Sequence, residues 1–246
     1  MFDLRRLEPE DLGLILELQE RIRSGLADTS TFQTSTPEFI SYCLADGGHC
    51  YGVSRGGETV AYRMVYFPRD RAFNLAKDTA LPPAEYSRVA HWDTIAVLPQ
   101  WRGFQLARLL NTRALADLVE TDIRHLLATS SPANPHGVRS LLEAGFRPVR
   151  LVRKFGGRLR FLCYRPSPAG WPTEGPTERP SERSAERSGE RPGDGPRRSV
   201  SLGATEELER AFQDGWTGTA IVIDDSGPRL ALRHQPLPFD DESSPR

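Results

Sequence analysis

The sequence predicts a three-layer α/β (α+β) sandwich, and two features carry that expectation. Between Phe2 and Tyr164, strand and helix patterns follow one another as β-α-α-β-β-β-α-β-α-β-β, an order that suits neither a closed barrel nor a helical bundle. Within that run, Ala90 to Leu110 (AHWDTIAVLPQWRGFQLARLL) turns a buried strand almost directly into an amphipathic helix.

Each element has its own signal. Phe2 to Leu7 alternates as a first strand, and Glu8 to Leu26 carries Leu12, Leu14, Ile15, Leu18, Ile22 and Leu26 on one helical stripe. A polar loop, Asp28 to Ser35, leads to Thr36-Pro37-Glu38, where a capping hydroxyl followed by proline opens a second helix with Phe39, Ile40 and Leu44. Gly47-Gly48 ends it. His49 to Ser54 and Thr59 to Phe67 read as strands across the turn Arg55-Gly56-Gly57-Glu58. Pro68 to Tyr86 is expected to be an irregular surface loop beside the functional site. Ser87 to Val97 is the central strand, and Leu106 to Glu120 a long helix burying Leu106, Leu109, Leu110, Ala114 and Leu118. His125 to Thr129 is the next strand, and Asn134 to Ala144 a short helix with Asn134 as cap, Pro135 at the first position and Gly145 as its left-handed stop. Arg147 to Lys154 and Arg158 to Tyr164 pair as a hairpin through Gly156-Gly157.

The composition then changes. Residues 166–199 are rich in Pro, Glu and Arg and almost free of apolar side chains, so they are expected to form a disordered linker after a first domain of residues 1–165. Order is expected to return near Val200. Ala204 to Asp214 is helical, with Thr205 as its cap; Gly215 to Gly218 forms a turn, and Thr219 to Asp224 pairs with Arg229 to Leu232. Residues 200–234 are too few for a confident core of their own, so this helix and hairpin are expected to dock on the main domain. Residues 235–246 are expected to be a frayed tail.

The break Leu98-Pro99-Gln100 and the turn Arg102-Gly103-Phe104-Gln105 place the unpaired N–H groups of a helix start just beyond a buried strand, an arrangement suited to a phosphate or pyrophosphate. Val97 to Ala107 resembles the acyl-CoA loop of the GNAT superfamily of N-acetyltransferases, Arg/Gln-x-x-Gly-x-Gly/Ala. Arg102 and Ala107 match its ends, whereas Gln105 stands where the family usually has glycine. Ser130 to Phe146 resembles the later family segment, in which an Asn starts a helix and Gly-Phe closes it; Asn134, Gly145 and Phe146 match at that spacing. The resemblance spans roughly Phe2 to Arg165. It implies a GNAT-like fold with a mixed central β-sheet flanked by helices, and acetyl-CoA as cosubstrate. It further implies that the cosubstrate lies against Ile95, Ala96 and Val97, on Arg102, Gly103, Phe104, Gln105, Leu106 and Ala107, and near Asn134.

The chain has 246 residues, 38% of them hydrophobic, enough for one good core. A formal net charge of −1 gives no reason to expect nucleic acid or a membrane surface as partner. Cys43, Cys50 and Cys163 are odd in number and lack metal-ligand spacing, which favours free thiols in a reducing cytosol. No signal peptide and no apolar run of about eighteen residues is present, so the protein is expected to be cytoplasmic, as a monomer or homodimer, without a metal.

Acetyl transfer to an amine needs a base to remove a proton from the incoming ammonium. His91 and Asp93 are two apart on the central strand and are expected to share a face with Ile95 and Val97; they are the candidate catalytic residues. His91 falls where several family members carry a catalytic glutamate. The family's usual tyrosine acid, seven residues beyond the helix-starting Asn, is Leu141 here, leaving Ser130, Ser131 and Tyr164 as the nearest donors. The expected function is transfer of an acetyl or other acyl group to a primary amine, the acceptor being a small molecule. The alternative, which Gln105 and Leu141 favour, is a non-catalytic acyl-CoA-binding or scaffolding module.

Overall fold

The computed structural model describes residues 1–25, 32–168, 196–235 and 237. Seven strands form the main sheet: β1 (Asp3–Leu7), β2 (Gly48–Arg55), β3 (Glu58–Tyr66), β4 (Val89–Val97), β5 (His125–Ser130), β6 (Arg147–Lys154) and β7 (Arg158–Pro166), in the order β1-β2-β3-β4-β5-β7-β6. Every neighbouring pair is antiparallel except β4 and β5. That parallel pair requires a crossover, which α3 (Leu106–Leu118) supplies. The sheet is thus mixed and open. Helices α1 (Leu12–Ser24), α2 (Pro37–Leu44) and α4 (Pro135–Glu143) complete the layers. Thr36 caps α2 as its sequence suggests, its side chain accepting from the Phe39 N–H.

Two facing pairs fix which side of the sheet is which. The Tyr51 hydroxyl donates to Asp117 of α3 at 3.0 Å, so Tyr51 and its cross-strand partner Arg63 face α3. Cys50 and Met64, one residue along, face α2. The stripe on α3 needs one correction: Leu109 is 39% exposed, and Asn111 is buried in its stead.

The β3–β4 ladder pairs Arg63 with Ile95 but Val65 with Trp92. Asp93 and Thr94 therefore stand together opposite Met64, which is a β-bulge. One extra residue reverses the alternation of side chains beyond it. His91 and Asp93 lie on the α2 face, whereas Ile95 and Val97 lie on the α3 face with Arg63. The expectation that all four share one face is overturned by this bulge.

At the other end of the chain, β8 (Arg197–Ser201), β10 (Gly227–His234) and β9 (Trp216–Asp224) form a second sheet in that order, with α5 (Thr205–Gln213) between β8 and β9. β8 was not anticipated, since RRSVS offers one apolar residue. Both margins of the expected 166–199 linker are strand, because β7 runs to Pro166 and β8 begins at Arg197. Residues 169–195 of that linker lie outside the described residues, as do 236 and 238–246 of the expected tail. Trp216 to Gly218 belong to β9 rather than to a turn, and α5 starts from Ala204 without a side-chain cap, so Thr205 is not its cap. Phe212 of α5 meets Phe161 of β7 edge-on, with ring centroids 6.1 Å apart.

Candidate active site

β4 and β5 are paired only from Val89↔His125 to His91↔Leu127. Beyond that point β4 continues to Val97 and β5 to Ser130 without bonding to each other, so the sheet opens at the carboxyl ends of its one parallel pair. Crevices of this kind are where open α/β sheets bind ligands. The bulge at Asp93–Thr94 sits at the start of the opening and bends β4 there.

Past the end of β4, a 3-10 turn at Pro99–Trp101 leads into the start of α3. Arg102 is exposed. Gly103 takes φ +85°, with nothing within 4 Å of where a Cβ would stand. Gln105 takes φ +58°, ψ +22°, the left-handed conformation that favours glycine. The backbone here thus keeps the shape for which the family's glycine is suited, and a glutamine adopts it at a strain of about 1–2 kcal/mol. No side chain caps the first turn of α3, so its N–H groups and those of Gly103 and Phe104 stay open toward an incoming anion, while the Trp101 and Arg102 N–H groups close the preceding turn on Leu98 and Pro99. Open N–H groups, an adjacent guanidinium and a glycine with free space fit the diphosphate of a CoA thioester. Phe104 is 53% exposed but tied into a cluster with Trp101 and Phe2, with ring centroids 5.7–5.9 Å apart. Arg55 lies over Trp101, with its Cζ 4.8 Å from the ring centroid.

On the α2 face of the opening stand His91 and Asp93, in different circumstances. His91 is buried, and its Nε2 accepts the Leu75 N–H at 3.0 Å. Burial, with the Lys154 ammonium adding to it, pushes the imidazole down to about 3. Such a ring is neutral, its basic nitrogen is occupied, and it anchors the 68–88 segment; the environment speaks against the expected role as base. That segment is less irregular than expected, with 3-10 turns at Leu75–Asp78 and Pro83–Arg88.

Asp93 is half-buried, and its Oδ1 accepts the Thr94 N–H at 2.7 Å and the Thr94 hydroxyl at 2.9 Å, leaving Oδ2 without a donor among the described residues. Burial pushes this carboxyl up, against the pull of the Thr94 bonds and of Arg63. On the same face, the hydroxyls of Tyr62 and Tyr66 are buried without a partner among the described residues. Buried polar atoms of that kind call for water or a ligand. Both were missed from the sequence, where they read as ordinary strand residues.

The second helix start is close by. Asn134 Oδ1 accepts the Gly137 N–H at 2.9 Å, so Asn134 is the cap of α4, which begins where β5 ends. Leu141 is buried on the inner face of α4. Tyr164 is engaged elsewhere, its hydroxyl within 3.2 Å of His125 Nδ1, at the end of β5 remote from the opening. Ser130 is buried and Ser131 half-buried beside α4. Cys43, Cys50 and Cys163 are buried free thiols, all pushed up by burial and so poor nucleophiles. Among the described residues no cluster of three or more His, Cys, Asp or Glu could hold a metal ion, and no helix is long and apolar enough to cross a membrane.

Solved structures share this architecture. Arabidopsis thaliana NAA60, solved in complex with acetyl-CoA, superposes with a TM-score of 0.52 at 14% identity, covering 68% of this chain and 98% of that one. A probable acetyltransferase from Staphylococcus epidermidis gives 0.51 at 14% identity, over 68% and 99%. The ribosomal-protein-S18-alanine N-acetyltransferase from Escherichia coli gives 0.50 at 14%, over 68% and 94%. At such identity these likenesses speak for the fold. No curated protein matches the chain. A sequence model of the Acetyltransferase (GNAT) family matches residues 15–146, a span running from α1 through the α3 loop to the Gly145-Phe146 close of α4. With more than half its length matched by that model, this chain belongs to the GNAT family of acetyl-CoA-dependent N-acetyltransferases.

Proposed function

We propose that the protein transfers an acetyl group to the primary amine of a small-molecule acceptor, with Asp93 as the base. The observation that carries this reading is the opening between β4 and β5, with an uncapped helix start beyond it and a carboxylate of raised basicity on its α2 face. Arg102, the N–H groups of Gly103 to Ala107, and the β4 edge at Ile95, Ala96 and Val97 would hold acetyl-CoA, with Asn134 at the neighbouring helix start. When bound, it supplies an activated acyl group as a thioester. The remaining chemistry belongs to the chain. Asp93 Oδ2 receives a proton from the acceptor ammonium, freeing the nitrogen lone pair for attack. Tyr62 and Tyr66 supply hydroxyls that orient the acceptor on this face. With Leu141 in place of a phenol, water carries the second proton of the attacking nitrogen to the leaving thiolate.

The acceptor enters over the α2 face, between the 68–88 segment, residues 32–36 before α2 and the β6–β7 turn. Arg158, at the start of β7, donates to Gln33 Oε1 at 3.2 Å, so the β6–β7 hairpin meets residues 32–36 at the rim. An acetyltransferase family stands against the scaffolding alternative. The test is release of free CoA from acetyl-CoA across a panel of small amines and of peptides with free N-termini. Turnover of small amines supports the reading; turnover of peptides alone would replace the small-molecule acceptor by a protein one.

A further inference from the structure

Arg63 is a buried cation that the chemistry above leaves without a task. It lies in β3 within Ala61–Tyr66, a run in which every residue is buried, and it is itself 2% exposed. Its guanidinium lies over Trp92, Cζ being 4.2 Å from the ring centroid, and Nη1 donates to the Asp93 carbonyl at 3.4 Å. Nε is buried without an acceptor among the described residues. No carboxylate oxygen bonds it among the described residues. Burial pushes even this guanidinium down to about 9, so it remains charged at neutral pH. An uncompensated buried charge is costly, and an aliphatic residue would suit this strand better. Groups kept at such a cost concentrate at functional sites.

Its position explains what it is for. Arg63 pairs with Ile95 at the edge of the bulge, and a bulge leaves its extra residue outside the regular ladder. Nη1 takes the Asp93 carbonyl there, from the α3 face, while the Asp93 side chain extends on the α2 face. We propose that Arg63 is a positioning residue for acetyl transfer: it fixes the Asp93–Thr94 bulge where β4 parts from β5, and its charge keeps the Asp93 side chain a carboxylate. The proposal rests on the reading of Asp93 as the base.

The surroundings of Asp93 leave this task to Arg63. Cys43 of α2, Cys50 of β2, and Tyr62 and Tyr66 of β3 all interact with Asp93, and burial pushes each of them up, so all are neutral at neutral pH. The buried face of α1 offers Ile15, Leu18, Gln19 and Ile22, none of them titratable. Arg71 of the 68–88 segment lies on the Tyr42 ring, with its Cζ 3.8 Å from the centroid, and acts on Cys43 and Tyr66. Lys154 acts on His91 and is paired with Asp78. Among the described residues, Arg63 is the cation acting on the Asp93 carboxyl.

The test compares Arg63→Met, which keeps the stem and loses the charge, with Arg63→Lys, which keeps the charge. The Asp93 carboxyl carbon is titrated by NMR in the ligand-free protein, and the pH dependence of kcat/KM is measured in parallel. Arg63→Met is expected to raise the Asp93 midpoint, since the guanidinium favours the charged form of this carboxyl and the substitution removes it. The lower limb of the rate profile should move by the same amount, and Arg63→Lys should restore most of both. A purely structural role would lower melting temperature and turnover with no shift of the midpoint, and an unmoved midpoint overturns the proposal. If Arg63→Met does not fold, Arg63→Gln, a neutral donor for the same carbonyl, carries the comparison with the same criterion. Asp93→Asn separates the two readings. If it leaves the lower limb in place, the base assignment fails, while the NMR midpoint still decides whether Arg63 governs Asp93.

Discussion

The Leu75 N–H donates to His91 Nε2 at 3.0 Å, joining a segment without strand or α-helix to the central strand by one buried bond. This bond decides what His91 can do. A ring nitrogen that accepts a buried backbone N–H is a poor base, and removing it strands a donor that costs about 1–3 kcal/mol to leave unsatisfied. His91→Ala is therefore expected to lower stability by about that amount or more in denaturant titrations, while turnover at neutral pH falls far less than for a lost base. The pH dependence has a definite sign. The folded ring is pushed down to about 3, whereas the unfolded ring titrates near the ordinary 6.5. Its contribution is complete above pH 6.5 and is lost as pH falls toward 3, at about 1.4 kcal/mol per unit. Wild type should therefore lose more stability than His91→Asn between pH 7 and pH 5.5. Equal losses would mean that the ring is solvated.

Asp93→Asn should lower kcat by roughly 10²–10⁴, the usual effect of removing a general base, with acetyl-CoA affinity nearly intact. Steady-state kinetics with calorimetric CoA binding checks both. Full retained turnover would move the base to a residue outside β4.

Much of this was legible in the sequence, because local signals were strong where local rules apply. Thr36 and Asn134 cap their helices, and the apolar stripes of α1, as far as Ile22, and of α3, apart from Leu109, face the core, whereas Leu26 of the expected first stripe lies outside the described residues. The site was harder to read, because its arrangement depends on partners remote in sequence. Alternation places His91, Asp93, Ile95 and Val97 together only if the ladder is regular, and the extra residue opposite Met64 is visible only once β3 is in register. The acceptor of the Leu75 N–H lies sixteen residues away from it. Arg63 did leave a trace, a lone charge inside the apolar run AYRMVY, which would have marked it as unusual for a buried strand.

The α3 turn makes two predictions of opposite sign. Arg102→Ala removes a charge-assisted contact of roughly 1.5–3 kcal/mol, so CoA affinity measured by calorimetry should fall about ten- to a hundredfold. Gln105→Gly relieves the left-handed strain at φ +58°. It should raise stability by up to about 1 kcal/mol, although glycine elsewhere usually destabilises. A stability loss at Gln105 would mean that its contact with Arg108 (Nη1 to Oε1, 3.4 Å) outweighs the strain.

The contact between Phe161 and Phe212 tests whether the second sheet and α5 are part of the main fold or an appendage. Phe161 is fully buried on β7, and Phe212 is 9% exposed on α5, so each ring covers the other. If residues 200–234 dock on the main domain, as proposed from their size, the chain should unfold in one cooperative transition. Phe212→Ala should then destabilise the whole of it by about 3 kcal/mol, the low end for a buried phenylalanine because part of its edge meets solvent. A double-mutant cycle with Phe161→Ala should return a coupling of about 0.5–1.5 kcal/mol for the edge-on pair. Shortening 169–195 by half should shift the melting temperature by no more than about two degrees, since closure entropy depends weakly on length. Two separate transitions, with Phe212→Ala moving only one of them, would show that the C-terminal sheet is an independent unit, and the GNAT domain would then have to cover the Phe161 face in some other way.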